Sequence, residues 1–207
     1  MSPGIISTRH PQICRELSDC PYLVKNVSVL PVAGENFWWV VDEWFPSETL
    51  QERITEGPLP TPVAAMVMRQ VACGLQALHE HGVVLRELAP LRVLVSADDS
   101  VRLTDLDLAK LLLRGKTVSA DWPIDAYRAP EVENRRATPQ ADYYSWAVIL
   151  LHAVTGDFTI ACHDRQVLKG LDLPEKLKRV LQKCLSPMPS KRPRSGDELL
   201  EALDQWH

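Results

Sequence analysis

The sequence predicts an α+β protein that is mainly α-helical, with only short strands. Three observations predict it. Apolar residues recur near helical spacing from Val63 to His79, and again from Leu177 to Leu185. The runs Val93-Leu94-Val95 and Val101-Arg102-Leu103 flank the turn-forming Ala97-Asp98-Asp99-Ser100 and read as a hairpin. A second pair of extended runs, Val27 to Val32 and Asn36 to Glu43, is joined by Ala33-Gly34-Glu35. With 207 residues and 45% apolar side chains, the chain can fill the core of one domain or slightly more.

In chain order, residues 9 to 20 read as a short helix ending before Pro21, and Tyr22-Leu23-Val24 opens an extended segment. After the N-terminal strands, a short helix runs from Leu50 to Glu56, and the proline-rich stretch 57 to 62 forms a rigid loop. The helix from Val63 to His79 then places Met66, Met68, Val71, Leu75 and Leu78 near helical spacing, and Gly82 breaks it. Val83-Val84-Leu85 is extended and leads through a polar loop into the central hairpin. The hairpin's second strand feeds Asp105-Leu106-Asp107. A helix over Asp142 to Leu151 is capped by Thr155-Gly156-Asp157, and a last helix starts at Ser195-Gly196-Asp197-Glu198 and runs through Trp206.

Composition narrows the partners. A net charge of -4, scattered rather than in blocks, leaves no basic footprint for nucleic acid. The longest uncharged apolar stretch, Trp146 to Val154, contains His152 and is too short to span a bilayer. Met1 to Ile6 lacks a basic region followed by an apolar core, so the chain is expected to be cytoplasmic, with protein or small-molecule partners. Five cysteines (Cys14, Cys20, Cys73, Cys162, Cys184) without C-x-x-C spacing read as reduced, buried thiols rather than metal ligands.

Five motifs fall in one order: Leu85-Arg86-Glu87-Leu88-Ala89-Pro90-Leu91-Arg92, Thr104-Asp105-Leu106-Asp107, Tyr127-Arg128-Ala129-Pro130-Glu131, Asp142-Tyr143-Tyr144-Ser145-Trp146, and Lys191-Arg192-Pro193-Arg194-Ser195. Over about residues 10 to 205 this order resembles the eukaryotic-type Ser/Thr protein kinases, which read H-R-D-L-K-P-x-N, T-D-F-G, Y-x-A-P-E, D-V-Y-S-F and R-P-S. The resemblance implies residues 1–45 as a remnant of the small lobe, a helix plus two strands, and 46–207 as the helical large lobe. It also implies structural roles for four residues: Asp142 accepting backbone hydrogen bonds from the catalytic loop, Arg192 paired with Glu131, and Arg86 in that loop.

The departures from the family are as informative. Glu87 stands where an aspartate would accept the substrate proton, Ala89 where a lysine would steady the phosphate, and Arg92 where an asparagine would hold a second magnesium. Ile124 falls where a threonine would bridge the aspartate and lysine. No G-x-G-x-x-G and no V-A-I-K-like strand occurs, and no glutamate falls at the matching position of the first helix, near Pro11. Asp105 alone stands as a metal ligand of the family, or else as a polar residue capping the loop. Asp107 replaces the following glycine. Phe45 to Leu50 follows a hinge-like strand with Glu43 and Trp44 on the hinge positions, which puts Asp42 at the back of the adenine pocket as a buried, costly carboxylate, or facing water if the register differs by one.

The expectation is therefore a pseudokinase: an inactive protein-kinase-like scaffold or regulator that binds another kinase, a phosphatase or a regulator, with no cofactor and with Mg-ATP disfavoured. The alternative is an atypical Ser/Thr kinase in which Arg92 or Arg86 replaces the missing lysines, or a fragment of a longer kinase-like protein. Thr117 and Ser119 are candidate phosphosites whose phosphate Arg86 would receive, unless local groups satisfy that arginine. Trp38 and Trp39 alternate across their strand, so one face is expected to need cover from N-terminal residues, from a partner, or from a second copy in a homodimer.

Overall fold

The computed structural model describes residues 9–33, 38–111, 126–134, 138–160, 165–204 and 206. Its elements run α1 (Arg9–Glu16), β1 (Asn26–Pro31), β2 (Trp38–Asp42), β3 (Glu48–Thr49), α2 (Leu50–Glu56), α3 (Thr61–Glu80), β4 (Val83–Val84), β5 (Val93–Val95), β6 (Val101–Leu103), β7 (Lys110–Leu111), α4 (Pro139–Thr155), α5 (Arg165–Gly170), α6 (Glu175–Cys184) and α7 (Asp197–Leu203). The fold is α+β and mainly helical, as the sequence predicts. Among the described residues the strands form three small antiparallel sheets, ordered β1-β2, β3-β5-β6 and β4-β7.

Two long helices hold the core. α4 is buried at every position from Ala141 to Ala153, the pattern of a helix enclosed on all sides. α3 lies against it, and Trp146 of α4 donates its indole N–H to the Met68 carbonyl of α3 at 3.0 Å. Gly156 ends α4 in the left-handed region, φ 68°, with its N–H on the His152 carbonyl. Around this pair, α6 and α7 close one side with Leu177, Leu181, Leu199 and Leu203. On the other side, β6 receives residues 22–24 alongside it: Leu103 donates to the Tyr22 carbonyl and Val24 donates to the Leu103 carbonyl.

Several boundaries differ from the expected ones. α1 stops at Glu16 rather than Cys20, because Leu17 to Asp19 form a turn. α3 starts two residues early, at Thr61, since Pro62 in the first turn costs no helical hydrogen bond. α7 ends at Leu203, although Trp206 is still buried. β3 is too short to show alternation and was not anticipated.

Asp42 corrects a further expectation. It is neither isolated in an apolar pocket nor turned simply to water: its side chain, 29% exposed, accepts from His10 Nε2 and Asn26 Nδ2, both at 3.0 Å. The expected turn at Gly34-Glu35, the segment Met1 to Ile6, Cys162, Thr117, Ser119 and Ile124 lie outside the described residues, as does the Trp38 side chain.

Candidate functional site

The polar loop after β4 is hung from the buried α4 helix. Asp142, with no solvent exposure, accepts the backbone N–H of Leu85 at 2.9 Å and of Arg86 at 2.7 Å, and His79 Nε2 meets the same carboxylate at 2.8 Å. Tyr143 O–H lies 3.3 Å from the other imidazole nitrogen. With Nε2–H donating to Asp142, Nδ1 accepts from the tyrosine. Two backbone donors held this way fix Arg86 at φ 69°, a left-handed conformation that a residue with a Cβ rarely adopts.

Arg86 itself is buried, and burial lowers its guanidinium pKa; Glu87 and Asp142 oppose that shift while Arg9 and Arg128 reinforce it. The next side chain, Glu87, is pinned between two cations. Arg128 Nη2 donates to its Oε1 at 2.9 Å and Arg92 Nη2 to its Oε2 at 3.2 Å, with the Glu87 side chain 13% exposed. Ala89 caps the 3-10 turn Pro90–Arg92 without a side-chain hydrogen bond. Arg92 is tied back by its carbonyl, which accepts from the Thr104 N–H.

Asp105 follows β6 in the left-handed region, φ 56°, exposed, and its side chain makes no cap to the 3-10 turn Leu106–Leu108 that it precedes. Asp107 is the more enclosed of the pair. Burial raises its carboxyl above the usual range, the charges of Asp105 and Asp42 add to this, and its buried Oδ1 has no hydrogen-bond partner. The two carboxylates therefore part ways: Asp105 faces solvent and Asp107 is half-buried.

Helix α1 grips this segment at two points that the sequence reading missed. Arg9 Nη1 donates to the Ala109 carbonyl at 2.6 Å, and the Leu106 N–H donates to His10 Nδ1 at 3.1 Å. His10 Nε2–H then serves Asp42, so one imidazole joins α1, β2 and the Asp105 loop. The signal was present: His10, Ile13 and Cys14 recur at helical spacing as a buried stripe. Cys14 lies 3.7 Å from that imidazole, and its thiol is pushed up to about 12 by burial and by the nearby carboxylates.

At the far end, Arg192 Nη1 and Nη2 grip the two carboxylate oxygens of Glu131 at 2.6 and 2.9 Å, and Nε donates to the Ser186 carbonyl. Among the described residues, no three His, Cys, Asp or Glu side chains are arranged to hold a metal ion, and no helix is long and apolar enough to cross a membrane.

The comparisons with known proteins agree with this architecture. The protein kinase domain family matches residues 7–205. The serine/threonine-protein kinase drp72 of Corynebacterium efficiens is 26% identical over 186 residues, covering 83% of this chain and 36% of the relative. Serine/threonine-protein kinase PknL of Mycobacterium tuberculosis is 34% identical over 122 residues, 57% of this chain and 31% of its own length. The serine/threonine-protein kinase/endoribonuclease IRE1a of Arabidopsis thaliana is 26% identical over 190 residues, 83% of this chain and 21% of its own. The chain thus spans about a third or less of the length of these relatives. With the family matched over nearly all of its residues and the loop, Asp142 anchor and Arg192–Glu131 pair in place, the chain belongs to the protein kinase domain family.

Proposed function

We propose that this protein-kinase-like domain is a pseudokinase, a non-catalytic scaffold or regulator of other proteins. The observation that carries the reading is the state of Glu87. Both of its oxygens are held by guanidinium groups, so neither is presented to a substrate hydroxyl. Its extra methylene relative to aspartate adds to the mismatch, since catalytic geometry tolerates about half an ångström. Mg-ATP fits the neighbouring residues poorly: Ala89 offers no cation to a phosphate, Arg92 brings positive charge where a metal ligand is needed, and Asp105 stands as one carboxylate. In this reading residues 1–45 are a remnant small lobe, 46–207 are the large lobe, and the partner is a cytoplasmic kinase, phosphatase or regulator.

The similarity to proteins named serine/threonine kinases supports the alternative, an atypical kinase in which Arg86 or Arg92 serves the phosphate. Thermal unfolding with and without ATP, in magnesium, manganese or chelator, separates the two. A ligand at a hundred times its Kd adds about 2.7 kcal/mol, or roughly 5–10 °C at this size. The scaffold reading expects no shift at millimolar ATP. A metal-dependent shift, together with phosphorylation that Asp105→Ala abolishes, would overturn it.

A further inference from the structure

Glu87 is shared between two cations and completes neither. Its Oε1 accepts from Arg128 Nη2 at 2.9 Å and its Oε2 from Arg92 Nη2 at 3.2 Å. On a guanidinium, Nη2 and Nε lie along the same edge, the one that grips two oxygens of a single anion side by side. Arg128 uses half of that edge: its Nε is buried and has no hydrogen-bond partner. The second carboxylate oxygen, which would complete the fork, is turned to Arg92 instead. A buried donor left unpaired is costly and calls for an acceptor. Arg92 forms this one side-chain hydrogen bond among the described residues and keeps its side chain 26% exposed.

The charges point the same way. One carboxylate stands between two guanidinium groups, and the buried Arg86 is close enough for the Arg128 charge to act on it. Asp142, the other carboxylate beside Arg86, already serves two backbone amides and His79. Among the described residues, neither Arg92 nor Arg128 pairs with Asp105.

We infer that Arg92 and Arg128 form a metal-independent binding site for a phosphate monoester, with Glu87 as the resident anion that the phosphate displaces. The inference rests on the reading of Glu87 as non-catalytic and adds a ligand class to it. A phosphate monoester fits where the carboxylate falls short. It carries up to about two negative charges at pH 7 and three strong acceptor oxygens, enough to take Nη2 and Nε of Arg128 together and still reach Arg92. The two guanidinium groups supply the positive charge that a divalent cation would otherwise bring. Because the competing carboxylate is tethered to the site, it acts at a high effective concentration and keeps the wild-type affinity low.

Isothermal titration calorimetry of the full chain in chelator tests this, with O-phosphoserine, inorganic phosphate and ATP as separate probes and serine as the blank. Glu87→Gln removes the tethered charge and is expected to bind the best probe at least about tenfold more tightly than wild type. Adding Arg92→Asn or Arg128→Gln to that variant takes the gain away. Far-UV circular dichroism and the thermal midpoint report that each variant is folded, and the more exposed Arg92 keeps the test open where Arg128→Gln unfolds. The tightest probe names the source of the phosphate: a modified protein side chain, the free anion or a nucleotide. No binding of any probe to folded Glu87→Gln, or binding that the folded arginine variants leave unchanged, overturns the inference. Magnesium-dependent phosphorylation lost in Asp105→Ala would instead overturn the non-catalytic reading, so the two failures are told apart.

Discussion

Asp142→Ala is expected to be the most damaging single change near the loop. The carboxylate has no solvent exposure and serves three donors: the backbone N–H groups of Leu85 and Arg86, and the His79 imidazole. Removing it strands two buried amides, each costing about 1–3 kcal/mol when left without an acceptor. It also releases Arg86 from its left-handed conformation. Loss of a buried charged network falls at about 3–5 kcal/mol, a large part of the 5–15 kcal/mol that typically holds a domain together. At roughly 2–4 °C per kcal/mol for this size, the thermal midpoint falls by about 10 °C or more. Asp142→Asn is the sharper probe, because its amide nitrogen turns a donor toward donors; it is expected to cost at least about 2 kcal/mol despite being nearly isosteric. Urea unfolding with an unchanged m-value measures both. A loss below about 1 kcal/mol for either variant refutes the view that the loop is hung from α4.

Two further outcomes concern titrating groups beside α1. Burial raises the Asp107 carboxyl, so its contribution to stability is full below the unfolded value, near pH ~4, and is lost as pH rises through the higher folded value. Asp107→Asn, which stays neutral, should therefore unfold at a higher denaturant concentration than wild type at pH 7, with the gap closing toward pH ~4; equal midpoints at pH 7 refute this. The Cys14 thiol, pushed up to about 12 from a usual 9.0, exposes about a thousandfold less thiolate at pH 8 than an unfolded chain. Iodoacetamide should label it correspondingly slowly in the native protein, and a native rate within tenfold of the denatured rate contradicts the burial argument.

Much of the fold was legible in the sequence where periodicity and turn chemistry agreed. The central hairpin falls on its expected residues because Asp98-Asp99 demands a turn, and Asp99 indeed adopts φ 61°. α2 spans its expected residues, Leu50–Glu56, and the structure shows what fixes its start, a capping box between Thr49 and Glu52. The ordered motifs located the loop, Asp105 and the Arg192–Glu131 pair. What a linear pattern did not carry was pairing between distant groups to which no motif assigns a partner. Arg128 lies 41 positions from Glu87, and nothing local distinguishes it from any arginine of its motif. Arg9 and His10 sit 100 and 96 positions from the backbone groups they bind, and the spacing of His10, Ile13 and Cys14 marks a buried face without saying what that face meets. The depth of Asp107 relative to Asp105 was likewise invisible, since it follows from where α1 docks.

The two-point attachment of α1 has a mechanical consequence. Arg9 and His10 are consecutive, and they hold the chain on either side of Asp107, so the helix and the turn Leu106–Leu108 form one body rather than two neighbours. Tilting the helix would break both bonds together, and any force applied to β2 reaches the turn through Asp42 and the same imidazole. Amide hydrogen exchange of Leu106 should therefore keep pace with that of α1 as a single opening unit, and a contact made on the ribbon would be felt at Asp105 without any movement of α3 or α4.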